Sequence, residues 1–437
     1  MDIKKILPQI TSAVLVIILL ISALLSSSVG VKTAPFSLME KCGIYQSEGG
    51  FSYGVSDGSF SAGTSHEALI SIMKMFAAEN TISGLVPYIF LSLLLIFAAI
   101  WAVNSASKTS YKWTTFLCAV LIPFIYCDFS NLAYFKTLYP YPVIMILILL
   151  VCAMFAGFYK KGKIGYAGII LIFTAVVFMS RIGVIQAVVS LVLGIAIIRL
   201  YKIAVSKPAA VLAVVFGAVA ILQSVIFIFN TNGVDYRQGL YNSVFYGVCR
   251  YDSVTELGLD QKLDDFKEVY YGMKENESDY DLENSFYGKI SYKKIIAYYA
   301  KHPVNFAKLL NDEAKAAFFN DSDMPFTFYS TLKKFYVPTG LLWVLLISLI
   351  YILVALFTGK KHGNLKPVSE YIALLPIMWI LSLAAAVVLN GNCDIYMTSY
   401  TFSIIFDTMV MFAAIGGIRI MLKNRDDKKA QYGITHE

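Results

Sequence analysis

Residues 208–229 read Pro208-Ala-Ala-Val-Leu-Ala-Val-Val-Phe-Gly-Ala-Val-Ala-Ile-Leu-Gln-Ser-Val-Ile-Phe-Ile-Phe229, with Lys207 at one end and no charged side chain within. An apolar run of roughly 20 residues matches the hydrocarbon thickness of a bilayer. In that medium only a helix or a closed barrel satisfies its own backbone, and a single run of this length is a helix. The same pattern recurs at 8–29, 84–106, 114–127, 141–158, 164–180, 182–200, 337–358, 369–389 and 398–421. Working outward, the sequence predicts an all-α polytopic membrane protein of about ten transmembrane helices.

Composition agrees. Of 437 residues, 58% are hydrophobic and 15% charged, against about 25% charged in a soluble domain. The net charge of +7 could suggest nucleic acid. Its distribution excludes that reading. Eighteen of the 36 Lys and Arg fall in short segments between alternating spans, from Lys4 and Lys5 to the tail Arg419–Lys429. The opposite short loops hold only Lys32, Lys41, Lys74, Lys136 and Arg181. By the positive-inside rule both termini are cytoplasmic and the large loops extracytoplasmic. The first span, with Lys4 and Lys5 before it and small residues from Ser22 to Gly30, has some features of a signal peptide. Its long apolar run and the alternation of the later spans favour an uncleaved anchor.

Three divisions follow: 1–229 with seven spans and a first outer loop at 30–83, an extracytoplasmic subdomain at 230–336, and 337–437 with three spans and a basic tail. In the first loop, Thr64-Ser-His-Glu67 reads as a capping box. It opens an amphipathic helix with Leu69, Ile72, Met73 and Phe76, suited either to the membrane interface or to packing under the loop. The 230–336 segment holds sixteen of the 29 acidic residues and is rich in Tyr and Phe, enough for a small, mainly helical fold. Ser291 can cap a helix to about Lys301, and Pro303 suits the first turn of another reaching about Phe319.

No phosphate-binding loop, dinucleotide fingerprint or HExxH occurs. Only Asp407 lies clearly within a span, so an ion relay lacks its chain of ionisable groups. Chemistry is expected at the outer rim. Asp128 follows a span directly among aromatics, and a partly desolvated carboxylate there is suited to act as a base. The ordinary alternative is an Asp capping the next helix. Glu40 and Asp57 in the first loop can add a second carboxylate or oxygen ligands for a divalent cation; nothing in the sequence requires that cation. Arg181, in a tight hairpin, and Arg237 can meet a phosphate at headgroup level or simply snorkel. His302 before Pro303 and Asp394 in the last outer loop complete the candidates. Cys42, Cys127, Cys249 and Cys393 lie where a disulfide is chemically possible.

Four stretches together resemble a known class. They are Asp128-Phe-Ser-Asn-Leu-Ala-Tyr-Phe-Lys-Thr-Leu-Tyr139; Ser180-Arg-Ile-Gly-Val-Ile-Gln186; Tyr241-Asn-Ser-Val-Phe-Tyr-Gly247 with Glu256-Leu-Gly-Leu259 and Tyr298-Tyr-Ala-Lys-His-Pro303; and Gly391-Asn-Cys-Asp394 with Phe402 and Asp407. In order and over most of the chain, they resemble bacterial integral-membrane glycosyltransferases of the GT-C fold, the WsfD-type hexose transferases of glycan biosynthesis in particular. Pro140-Tyr-Pro142 departs from the family's Glu-Pro ending, and Met397-Thr-Ser-Tyr400 replaces a His-bearing motif.

The resemblance implies transfer of a sugar, a hexose, from a polyprenyl-phosphate donor to a cell-surface glycan acceptor on the extracytoplasmic face. It implies inverting attack with Asp128 and Glu40 as catalytic carboxylates. Arg181, Arg237, Tyr241, Asn242, His302 and Asp394 would bind substrate. The alternatives are another glycan-assembly protein (polymerase, ligase or flippase) and a non-enzymatic transporter or assembly factor. The expected partners are the bilayer, the lipid-linked sugar and the glycan, with no nucleic acid.

Overall fold

The computed structural model describes residues 3–25, 44–46, 52–55, 65–77, 80–107, 112–161, 183–229, 234–270, 282–318, 328–361, 366–393 and 395–431. Nine of the ten expected spans are helices: α1 (Ile3–Leu25), α3 (Leu85–Ser107), α4 (Lys112–Tyr126), α6 (Tyr141–Lys161), α7 (Gly183–Arg199), α8 (Lys207–Phe229), α13 (Leu341–Lys361), α14 (Lys366–Asn390) and α16 (Tyr400–Gln431). The tenth, 164–180, lies outside the described residues. Seven helices are long and apolar enough to cross a bilayer; those starting at Trp113 and Tyr141 are shorter apolar segments. The sequence's count of about ten therefore stands here as seven long helices and two shorter ones among the described residues.

Small residues set the tightest helix contact. α7 and α8 cross at Gly194 and Gly217, where a Cβ on Gly217 would come 2.7 Å from the Gly194 carbonyl oxygen. Ala209, Ala213, Ala220 and Ser224 continue that buried face of α8, as expected where lipid offers no hydrophobic drive and close backbone approach supplies the attraction. The main core runs through Leu95, Ile122, Tyr126, Phe135 and Trp379.

The first loop holds the expected amphipathic helix and, besides it, strands that its sequence did not announce. Three short strands, β1 (Ile44–Gln46), β2 (Ser52–Val55) and β3 (Thr81–Ser83), form an antiparallel sheet in which Tyr53 faces Ile82. Strands of three or four residues carry too little alternation to be seen beside Gly and Ser. Helix α2 (Ser65–Lys74) lays Ile70 and Met73 on this sheet. It therefore packs under the loop, while Ile72, Met75 and Phe76 remain exposed.

Within 230–336, α9 (Val234–Asn242), a π-helical turn at Ser243–Gly247, α10 (Tyr292–Lys301) and α11 (Pro303–Ala316) enclose an aromatic core of Tyr241, Phe245, Phe266 and Phe286. Gly391, at the end of α14, docks this subdomain. Its φ of 55° is left-handed, and a Cβ there would meet the Tyr246 carbonyl carbon at 2.7 Å. Ser243 Oγ donates to the Val388 carbonyl at 2.6 Å and the Asn392 N–H to the Tyr246 carbonyl at 3.3 Å. The segment's end behaves differently from its start. Ala314, Ala317, Phe318 and, on α12 (Phe328–Tyr336), Tyr329 join the core of the membrane helices.

Candidate functional site

Asp407, the carboxylate that the sequence leaves inside an apolar span, is 2% exposed on α16. Burying a charge is costly unless it is paired and hydrogen-bonded. Here α12 supplies both partners. Tyr329 donates its hydroxyl to Asp407 Oδ1 at 2.6 Å, and Lys333 Nζ donates to Oδ2 at 2.9 Å and to Ser403 Oγ at 2.9 Å. Tyr329 and Lys333 are four apart on one helix, Ser403 and Asp407 four apart on the other, so each pair occupies a single face. Lys333 Nζ also stands 5.3 Å from the Phe318 ring centroid. Burial and the Asp407 charge hold the Tyr329 phenol well above the ordinary tyrosine range, so it stays a donor.

Asp128 ends the turn after α4 and opens the short helix α5 (Phe129–Leu132) in extended conformation. Its carbonyl accepts the Asn131 and Leu132 N–H groups, both at 2.9 Å, while its side chain makes no cap bond. The ordinary capping role thus falls to the backbone. The side chain is 3% exposed, and its charge reaches both Asp407 and Tyr336. Burial first, then those two carboxylates, push the Tyr336 phenol up to about 12.

The start of α16 gathers more polar groups. Tyr400 donates to Asn131 Oδ1 at 3.0 Å, and Gln186 Nε2 to Thr401 Oγ1 at 2.6 Å; Tyr126 and Thr408 share a hydrogen bond of 2.8 Å. The Tyr139, Tyr141 and Tyr400 rings pack successively at 5.4 and 4.8 Å. Asn131, Gln186 and the Tyr400–Asp407 segment therefore converge here, and Gly247 meets Gly391.

Glu40, Asp57, Arg181 and Asp394 lie outside the described residues. Arg237 is exposed and engaged, 2.9 Å from Glu283 and 5.4 Å from the Tyr287 ring centroid. Tyr241 is wholly buried in the subdomain core and donates to the Val269 carbonyl at 3.1 Å. Asn242 is buried at the docking turn. Both are placed to hold the subdomain together rather than to face an open site. His302 joins α10 to α11, stacked on Tyr298 at 4.5 Å, with Nδ1 3.8 Å from Asp252 and Nε2 3.8 Å from Glu256. Its contacts are within the subdomain. Among the described residues no group of three His, Cys, Asp or Glu is arranged to hold a metal ion, and Cys118, Cys127, Cys152, Cys249 and Cys393 are free thiols.

Sequence reasoning missed Lys333, Tyr329 and Glu313. The matched four-residue spacings of Tyr329/Lys333 and Ser403/Asp407 were the available signal. Glu313 carried none, since an acid on a short amphipathic helix normally faces water. It is instead fully buried, accepting hydrogen bonds from Ser399 Oγ and, at 3.1 Å, Thr398 Oγ1. Burial pushes its carboxyl up to about 8.

No curated protein and no solved structure matches the chain. A family model described as the YfdI N-terminal transmembrane domain matches residues 4–434. With nearly its whole length matched and its apolar helices packed around one core, the chain belongs to the YfdI N-terminal transmembrane domain family and is a multi-pass membrane protein.

Proposed function

We propose that this chain is a membrane glycosyltransferase of GT-C type. It would move a hexose from a polyprenyl-phosphate donor to a cell-surface glycan acceptor, on the extracytoplasmic side of a bacterial membrane. The observation that carries this reading is a buried Asp128 within electrostatic range of the hydrogen-bonded Asp407–Lys333–Tyr329 cluster. Such a site suits a lipid-borne phosphosugar: the tail stays among the helices while the head reaches charged groups at the rim.

Asp128 acts as the base. It takes the proton of the acceptor hydroxyl as that oxygen attacks the anomeric carbon opposite the phosphate. The new carbon–oxygen bond forms, the carbon–phosphate-oxygen bond breaks, and the electron pair leaves with the polyprenyl phosphate. Configuration inverts. Lys333, 12% exposed, is a cation within reach of the rim, and an ammonium is a good point charge for the leaving phosphate.

Asp128→Ala tests the reading. In cells that assemble the glycan, the variant at normal protein level is expected to lose the transferred sugar. An unchanged glycan would identify the protein as a scaffold or assembly factor.

A further inference from the structure

Glu313 belongs to the subdomain helix α11, yet its carboxyl is buried against the junction between α15 (Ile395–Thr398) and α16. Its Oε1 lies within hydrogen-bond reach of Ser399 Oγ and Thr398 Oγ1. Its Oε2 is enclosed with no hydrogen-bond partner among the described residues. Both hydroxyls also reach the Ile395 carbonyl, Ser399 at 2.5 Å and Thr398 at 3.2 Å. Two hydroxyl protons are thus sought by two strong acceptors, while a carboxylate oxygen would be left buried and without a donor. An ionised acid fits this badly, because an unpaired buried charge carries its full desolvation cost. A neutral acid fits well: its O–H serves the Ser399 oxygen, and Ser399 and Thr398 both donate to Ile395.

We propose that Glu313 is a positioning residue that works in its neutral form, locking the start of α16 to the subdomain, and that its ionisation releases the lock. Tyr400, Thr401, Ser403 and Asp407 follow that junction directly, so the lock sets the register of the face that meets Asp128 and Lys333. The consequence for turnover rests on the glycosyltransferase reading; the lock itself does not. Among the described residues Arg250 acts on Glu313, and it is itself 3.5 Å from Asp312, which also accepts from Tyr251 at 2.6 Å. Lys315 lies on α11 itself, and Lys301 and His302 end α10. The facing ends of α13 and α14, Leu341 and Asn390, are uncharged.

Amide hydrogen exchange of the full chain in detergent, corrected for intrinsic rates, reads the lock at residues 395–403. Between pH 6 and pH 9 the wild type is expected to lose about a hundredfold protection there, roughly one decade per pH unit up to a pKa of about 8 and little beyond it, because the released acid ionises in the ordinary carboxylate range. Residues 85–107 serve as the unaffected reference. Glu313→Gln replaces the acid O–H with an amide N–H donor, keeps a carbonyl and cannot ionise, so its protection should not change with pH. A wild type without the loss, or an E313Q profile parallel to it, overturns the proposal. Should E313Q not fold, the wild-type titration decides alone. Transfer from a polyprenyl-phosphate hexose, followed over the same pH range, separates the two readings. An alkaline fall in wild-type turnover that E313Q lacks supports both. The exchange result without any transfer keeps the lock and removes the enzyme; transfer with superimposed pH profiles does the reverse.

Discussion

At the scale of single residues the molecule turns on two buried acids held in opposite ways. Asp407 is matched by a cation and a phenol, so both its oxygens are served. Removing one partner of a buried pair leaves an uncompensated charge, typically about 3–5 kcal/mol. Lys333→Met is therefore expected to lower thermal stability in detergent by that order. Adding Asp407→Leu to it should recover most of the loss, and an unaltered melting curve for the single variant would show that the pair is not held. Glu313 makes no ion pair among the described residues; burial dominates its behaviour, with Arg250 a smaller opposing influence. Unfolded, it ionises in the ordinary carboxylate range; folded, it stays neutral up to about 8. The folded state thus binds the extra proton between those values, so stability falls as pH rises through that window and levels off above it. Melting temperatures of wild type and Glu313→Gln should agree near pH 4 and separate progressively toward pH 8, the variant being the higher. A constant difference across that range would contradict a neutral buried Glu313. Asp128 and Asp407 were visible in the sequence because charge beside apolar runs stands out. Their neighbours were not, since contact between residue 333 and residue 407 depends on how helices pack, which no local pattern encodes.

At the scale of elements, span positions were legible to within a few residues because hydropathy alone decides what lipid accepts. What escaped was anything built from short pieces or from packing. The three strands of the first loop are too brief to alternate. α12 resembles an amphipathic loop helix in sequence, but Phe318 and Tyr336 pack against Phe406 at 5.1 and 6.1 Å and draw it onto α16. The contact of α7 with α8 was hidden for a related reason: glycine in an apolar run reads as filler until its partner is known. Gly217→Leu would place a branched side chain where a Cβ already meets the Gly194 carbonyl at 2.7 Å. Overpacking of this kind costs about 1–3 kcal/mol. The variant should melt lower in detergent by that order, whereas Gly416→Leu, at a position with nothing within 4 Å of a Cβ, should not. Equal melting temperatures for the two would mean that α7 and α8 do not approach as described.

At the scale of the whole molecule, the two ends of the helix bundle differ in charge, and that difference bears on which end faces a lipid-borne donor. Arg199 and Lys202 each lie 3.6 Å from Glu370, near the start of α14 and so at the end of that helix away from Gly391. The 234–318 subdomain with its acids docks at the other end, on Gly391. Retention of Lys and Arg on the cytoplasmic side would put the Asp128–Asp407 site and the subdomain outside, where the proposed transfer needs them. Two cysteine substitutions read this directly, because the described native thiols are all buried. Ile296 on α10 is 55% exposed, and Val205, between α7 and α8, is 78% exposed. Ile296→Cys should react with a membrane-impermeant maleimide on intact cells, and Val205→Cys only after the membrane is opened. The reverse pattern would turn the site toward the cytoplasm. An acceptor glycan assembled at the cell surface could not then reach Asp128, and the transfer reaction would have to be abandoned while the helical architecture stood.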